Sequence, residues 1–333
     1  MSARIRAALV LAAITAAAPA LSAYLPLGTS VNGASVLTRW TSMPIRYLVT
    51  NRATTGVTAA QLQAATAASF SSWSLVPTAS MSASFTGFTN AEPVRDDGAT
   101  VIGFQNHEEL ERTLGVTSFT LDRTTGALVE ADIFLNSLFA WSVAPSGESN
   151  KFDAQSILTH EVGHLIGLGH SLLGETVLRA EGGRRVIAKR SVMFPIAYAV
   201  GTILDRNLQD DDIAAVSVTY PTGKFLNSTG SIAGKVTLGG TGIFGAHVVA
   251  VNTRTGQTVG SFTLNTQGQF SMDGLEPGVY VVRVEPIDDA DIGSFFSDDA
   301  KVDANFRAAF HSKLVAVPVG GSGALIEIKV VRK

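Results

Sequence analysis

Two kinds of hydrophobic pattern share the chain. From Pro44 to Val49 apolar and polar side chains alternate, the period of two of a half-buried strand. Strand-like runs follow at 81–88, 99–104, 116–121 and 128–135, the last two joined by the turn residues Asp122 to Gly126. Ala59, Leu62, Thr66, Phe70 and Trp73 recur instead at helical spacing, which predicts a helix over 58–73 with Thr58 as its N-cap. Two more helices are expected, over 153–166 and 209–220. Strands and helices interleaved in this way up to Pro221 read as an α+β domain. After it, Asn227 to Ser231 makes a small polar linker. Short Val- and Ile-rich runs then recur about every eight to twelve residues between Gly, Asn, Asp and Pro, the spacing of an all-β sandwich.

The first residues carry a different pattern. Arg4 and Arg6 precede an apolar run from Ala7 to Ala18 and small residues ending at Ala23, the layout of a secretory signal peptide. The run is short of the roughly 20 residues a membrane-spanning helix needs, so no membrane span is expected. The chain therefore divides into a leader at 1–23, an α+β domain at 24–225 and a β-sandwich at 226–333.

Composition narrows the chemistry. With 46% hydrophobic residues over 333 positions the chain can bury substantial cores, which excludes general disorder. The absence of cysteine excludes disulfide frameworks, thiol nucleophiles, iron–sulfur clusters and cysteine-ligated zinc. Any metal site must therefore use histidine and oxygen ligands. Export without disulfides points to a secreted, extracellular or periplasmic protein of bacterial origin. Loss of Arg4 and Arg6 takes the formal charge from −3 to −5, so no nucleic acid partner is expected. A monomer is the favoured state.

The candidate chemistry lies in residues 160–170. On a helix, His160 and His164 share one face and can offer imidazole nitrogens to one ion, while Glu161 is offset enough to reach water at that ion. Gly167 allows a sharp turn out of the helix, which brings His170 back as a third ligand. Three neutral imidazoles leave one tetrahedral position open, as in a catalytic rather than a structural zinc site. Zinc lowers the pKa of water to about 7, and Glu161 is placed to take its proton and pass it to a leaving amine.

The motif His160, Glu161, His164, Gly167, His170, followed by Met193, resembles that of the metzincin zinc peptidases, and the flanks resemble their matrixin branch. Those flanks are 152–159, Ser171, Trp40 with 44–47, 68–70 with Trp73, Gly126 with 131–133, and 211–213 with Tyr220. The resemblance implies a twisted five-stranded sheet with three helices, and a secreted endopeptidase acting on protein or peptide in extended conformation. It implies zinc on His160, His164 and His170, Glu161 as general base, and Met193 and Gly167 as structural support. It also implies Leu128–Asn136 as the edge strand that pairs with substrate, and calcium at loops with no residues assigned. Where some relatives carry a tyrosine ligand this chain has Pro195, which leaves the open position to water. The remaining histidines, His107, His247 and His311, are scattered, so the family's second zinc site is not expected, and the cysteine that keeps many relatives latent has no counterpart.

The stretch between His170 and Met193 is longer than in compact matrixins and carries a net charge of +3, which suggests a cleft wall favouring acidic or extended substrates. Beyond it, segments 230–236, 245–249, 255–256, 268–270 and 274–280 resemble a carboxypeptidase regulatory-like, transthyretin-like sandwich. Two other functions fit the sequence: an exported adhesive or binding protein with a vestigial zinc site, and a hydrolase of a small amide or a peptidoglycan cross-link.

Overall fold

The computed structural model describes residues 4–7, 27–31, 34–180, 182–297 and 299–333. The leader expected at 1–23 thus lies outside the described residues, apart from a strand at Arg4–Ala7 (β1). A hairpin, Gly28–Val31 (β2) and Ala34–Leu37 (β3), precedes strand Ile45–Thr50 (β4) and helix Ala59–Ser74 (α1). The helix starts where expected because Thr58 and Gln61 form a reciprocal capping box, and its Leu62, Thr66, Phe70 and Trp73 stripe is buried.

Strands Ala83–Thr89 (β5), Val101–Gln105 (β6), Gly115–Asp122 (β7) and Leu128–Asn136 (β8) complete a sheet in the order β1-β7-β8-β6-β4-β5. The expected five strands are there, with β1 added as a sixth. Pairing is parallel except at β7, which runs antiparallel to β8 and to β1.

This order corrects the expectation for Leu128–Asn136. That strand is interior, bonded on both sides, with every residue but Val129 buried. Its polar Glu130 and Asp132 imitate the alternation of a solvent-facing strand, but both are buried acceptors for the 95–101 loop. Asp132 takes the Val101 and Arg95 N–H groups at 2.7 and 2.9 Å, and Glu130 takes that of Gly98. Burial pushes the Asp132 carboxyl up to about 7. At the β8 side of the sheet the outer strands are β7 and then β1. Arg4–Ala7 pairs with residues 119–122 of β7, and no other described strand pairs with the outer side of β7 at 115–118.

A short parallel pair, Trp141–Ser142 (β9) and Phe152–Asp153 (β10), leads into helix Ala154–Leu165 (α2), which packs on α1, β7 and β8. A hairpin, Gly174–Leu178 (β11) and Arg184–Lys189 (β12), occupies the basic stretch. Helix Asp210–Thr219 (α3) and a single turn at Phe225–Ser228 (α4) then lead to the sandwich.

One sandwich sheet contains Gly230–Leu238 (β13), Thr241–Gly242 (β14), Gln269–Leu275 (β17) and Ile326–Val330 (β21). The other contains His247–Asn252 (β15), Thr258–Phe262 (β16), Gly278–Glu285 (β18), Ala309–Phe310 (β19) and Val315–Val317 (β20). Ile232, Val236, Val248, Met272, Tyr280, Val282 and Ile328 fill the space between them.

The parts of the chain before and after Pro221 meet at a buried boundary. Helix α3 packs on β16 and β17, and Phe262, Phe295 and Phe296 join Leu172, Val186 and Phe194 in one apolar cluster. Gly260 leaves room for neighbouring side chains at this boundary: a side chain there would press on those of His247 and Leu173, and its N–H donates to Asp211 Oδ1 at 2.9 Å. Asp211 is 2% exposed, and burial pushes its carboxyl up to about 8. The folded chain therefore keeps a proton that the unfolded chain releases above about 4, so this group destabilises the fold progressively as pH rises from about 4 to 8. Asp211→Asn keeps an acceptor for Gly260 without the ionisation. Urea unfolding of both chains across that range should show the variant gaining on the wild type up to pH 8 and levelling off above it.

Candidate metal centre

Helix α2 begins where Asp153 caps it, accepting the Ser156 N–H at 2.7 Å while gripped by the Arg206 guanidinium. From that start the helix turns His160 and His164 to one side, with their Nε2 atoms 3.0 Å apart. Three aromatic residues hold the helix in place. Trp73 Nε1 donates to the carbonyl of Thr159, Trp40 Nε1 to that of Leu165, and the Tyr220 hydroxyl to that of Ile166, at 2.9, 2.8 and 2.7 Å. These are among the flanking positions of the sequence resemblance, and here they tie down the peptide before His160 and the end of the helix.

Gly167 has φ +98°, and any side chain there would meet the Thr38 carbonyl. The chain turns at this point and brings His170 back, its Nε2 3.2 Å from that of His164. Each Nδ1 lies against a carbonyl: His160 on Val192 and His164 on Leu168, both at 2.8 Å, and His170 on Ser294 at 2.6 Å. With Nδ1–H donating, each Nε2 presents a lone pair, and the three lone pairs converge with no proton between them. Burial and mutual repulsion keep the rings neutral, with His164 pushed down to about 3 and His170 to about 4. Tetrahedral zinc with nitrogens at about 2.05 Å needs ligand nitrogens about 3.3 Å apart. The observed separations fit that ion.

Glu161 sits beside the triad against β7. Thr117 Oγ1 donates to its Oε2 at 2.7 Å, and a Cβ on Gly115 would come within 2.9 Å of its Oε1. Burial pushes Glu161 up to about 7. A cavity of about 780 Å³ opens over these groups, with Gly115 and Thr117 on one side and Lys189 and Arg184 on another. The basic stretch thus does reach the cavity wall. Part of its charge is neutralised inside that wall, because Lys189 pairs with buried Asp205 at 2.7 Å. His107, His247 and His311 bond to other partners and stand apart from the triad.

Met193 lies beneath α2, where a Cβ on Gly163 would strike its sulfur. Its loop is clamped by Asp212, which accepts from the Ser191 hydroxyl and from the N–H groups of Val192, Met193 and Gln209. Val192 therefore bonds Asp212 through its N–H and His160 through its carbonyl. Sequence reasoning assigned no role to Gly115, Thr117, Gly163, Asp212 or Ser294. Gly163, inside the motif between two histidines, and Asp212, within the resembling flank 211–213, carried a visible local signal.

The family model for matrixin, a peptidase M10 family, matches residues 39–181. That span contains His160, Glu161, His164 and His170, and at the family level it supports a metzincin-like, zinc metallopeptidase domain. No curated protein matches the chain. Among solved structures, the TIE protein of Bacillus anthracis aligns at 18% identity and TM-score 0.23 over 32% of this chain and 17% of its own. The pilus adhesin of Streptococcus pneumoniae aligns at 20% identity and TM-score 0.21 over 29% of this chain and 10% of its own. The minor pilin of Streptococcus agalactiae aligns at 14% identity and TM-score 0.22 over 32% of this chain and 45% of its own. The chain thus spans less than half the length of each, and likeness at these scores carries no argument. No helix among the described residues is long and apolar enough to cross a membrane.

Proposed function

We propose that the chain is a secreted zinc endopeptidase in which His160, His164 and His170 hold the ion and Glu161 is the general base. The observation that carries the reading is the convergence of three bare Nε2 atoms next to a buried carboxylate, at the floor of an open cavity. When bound, zinc supplies a Lewis acid that polarises a peptide carbonyl and lowers the pKa of water to about 7. Glu161 takes the water proton at a carboxylate oxygen and delivers it to the leaving amine nitrogen. Thr117 holds Oε2, which fixes the carboxylate orientation and leaves Oε1 for proton transfer.

Substrate lies extended along the outer side of β7 at 115–118, which pairs with no other strand among the described residues and so offers backbone N–H and C=O groups for strand addition. Removal of the leader, including Arg4–Ala7, extends that edge through residue 122. Met193 and Gly167 support the site without touching the ion.

Stripping the metal and restoring it tests this reading. The chain should carry about one zinc, lose cleavage of an unfolded protein on chelation, and regain it with zinc. Cleavage that persists in the metal-free chain would contradict it.

A further inference from the structure

The three candidate ligands are not oriented by the same domain. His160 and His164 direct Nδ1 to carbonyls of their own domain, at Val192 and Leu168, whereas His170 directs Nδ1 to Ser294 in the β-sandwich, 124 residues away. Ser294 ends a short 3-10 turn, Ile292–Ser294, closed by its N–H bonding back to Asp291. The next residue, Phe295, is 1% exposed and sets its ring edge-on to the His170 imidazole at 6.1 Å. Phe295 also packs on Phe262 at 5.4 Å, within the cluster that joins the domains. Farther along the boundary, Thr176 donates through both its N–H and its hydroxyl to Asp289. Asp291 and Ser294 also line the cavity over the triad.

We propose that the β-sandwich is a working part of the metal centre: Ser294 is a positioning residue whose backbone carbonyl fixes the tautomer and tilt of His170, so the third ligand is competent only while the sandwich is docked. The inference rests on the reading of the triad as a zinc site. Its physical basis is that a ligating imidazole points its metal-facing lone pair correctly when its other nitrogen is held by an acceptor. Loss of such an outer partner typically weakens metal binding by about 10- to 100-fold. The turn is held on one side by its own hydrogen bonds and on the other by Phe295. The docked sandwich therefore sets the position of the Ser294 oxygen.

Zinc affinity measured by chelator competition on the full chain tests this. Ser294→Pro removes the N–H that closes the turn and drives Gly293 out of helical geometry, which moves the carbonyl. Phe295→Leu keeps an apolar side chain but removes the ring that packs on the imidazole. Both should bind zinc about 10- to 100-fold more weakly, with an altered visible spectrum when cobalt replaces zinc. Val319→Ala, exposed on the same domain, should match the wild type.

In the zinc-loaded wild type, nitrogen-15 NMR of labelled histidine should show a His170 Nδ1 proton protected from exchange, and this arm decides the matter if the variants fail to fold. Wild-type zinc affinity in both folded variants, or a freely exchanging His170 Nδ1 proton, would overturn the proposal. A wild-type chain that binds no zinc would instead defeat the reading on which it rests.

Discussion

Replacing Glu161 with Gln should lower kcat by about 10²- to 10⁴-fold, the usual contribution of a positioned general base, while zinc content stays at one per chain. The amide preserves the shape and the contact with Thr117 but cannot accept a proton. Since Glu161 is adjacent to His160 but offset from the shared face of the two helical ligands, its loss should leave metal affinity close to wild type. In the metal-free chain burial pushes this carboxyl up to about 7. The cation pulls the pKa back down when it binds. The base works only when ionised, so activity should rise with pH along an acid limb whose midpoint lies below 7, and the Gln variant should lack that limb. Steady-state kinetics from pH 4 to 8 on both chains checks this. An unchanged acid limb in the variant would assign it to another group.

Asp212→Ala should be the most damaging substitution outside the triad and its base. Asp212 is 1% exposed and accepts from four donors: the Ser191 hydroxyl and the N–H groups of Val192, Met193 and Gln209. Each buried donor left without an acceptor costs about 1–3 kcal/mol, and partial relaxation keeps the sum below full additivity. A loss of about 4 kcal/mol is expected, to be read from urea unfolding of the metal-free chain. The same change frees the Val192 peptide whose carbonyl receives the His160 N–H, so zinc affinity should fall as well, by about 10-fold or more. Asp212→Asn, which keeps one acceptor oxygen, should lie between. A variant with wild-type stability and zinc affinity would show that the Met193 loop is held in place by something other than this carboxylate.

The parts of the site that were legible in the sequence are the local ones. The triad and Glu161 fall within a single helix and the turn after it, where spacing alone fixes the face and a glycine marks the exit. Helices α1 and α2 were legible for the same reason, and Thr58 also announces the start of α1.

What escaped is non-local. The order of strands in a sheet is not written in any one strand, and the resemblance was carried onto β8 where the structure puts β7 toward the edge. The acceptor for His170 was out of reach for a different reason. Ser294 acts through its backbone carbonyl, which every residue carries, and it meets the site only because a segment 124 residues away packs against His170. Gly115 and Gly163 stand between these cases: small residues are visible in sequence, but the side chains they make room for are not.

The most direct test of the central claim is digestion of an unfolded protein by the zinc-loaded wild type and by Glu161→Ala, with fragments identified by mass. The expected result is internal cleavage by the wild type alone, at equal zinc content of about one per chain. Zinc bound at that level in both chains, with no cleavage that depends on Glu161, would contradict the assignment of this site to peptide-bond hydrolysis.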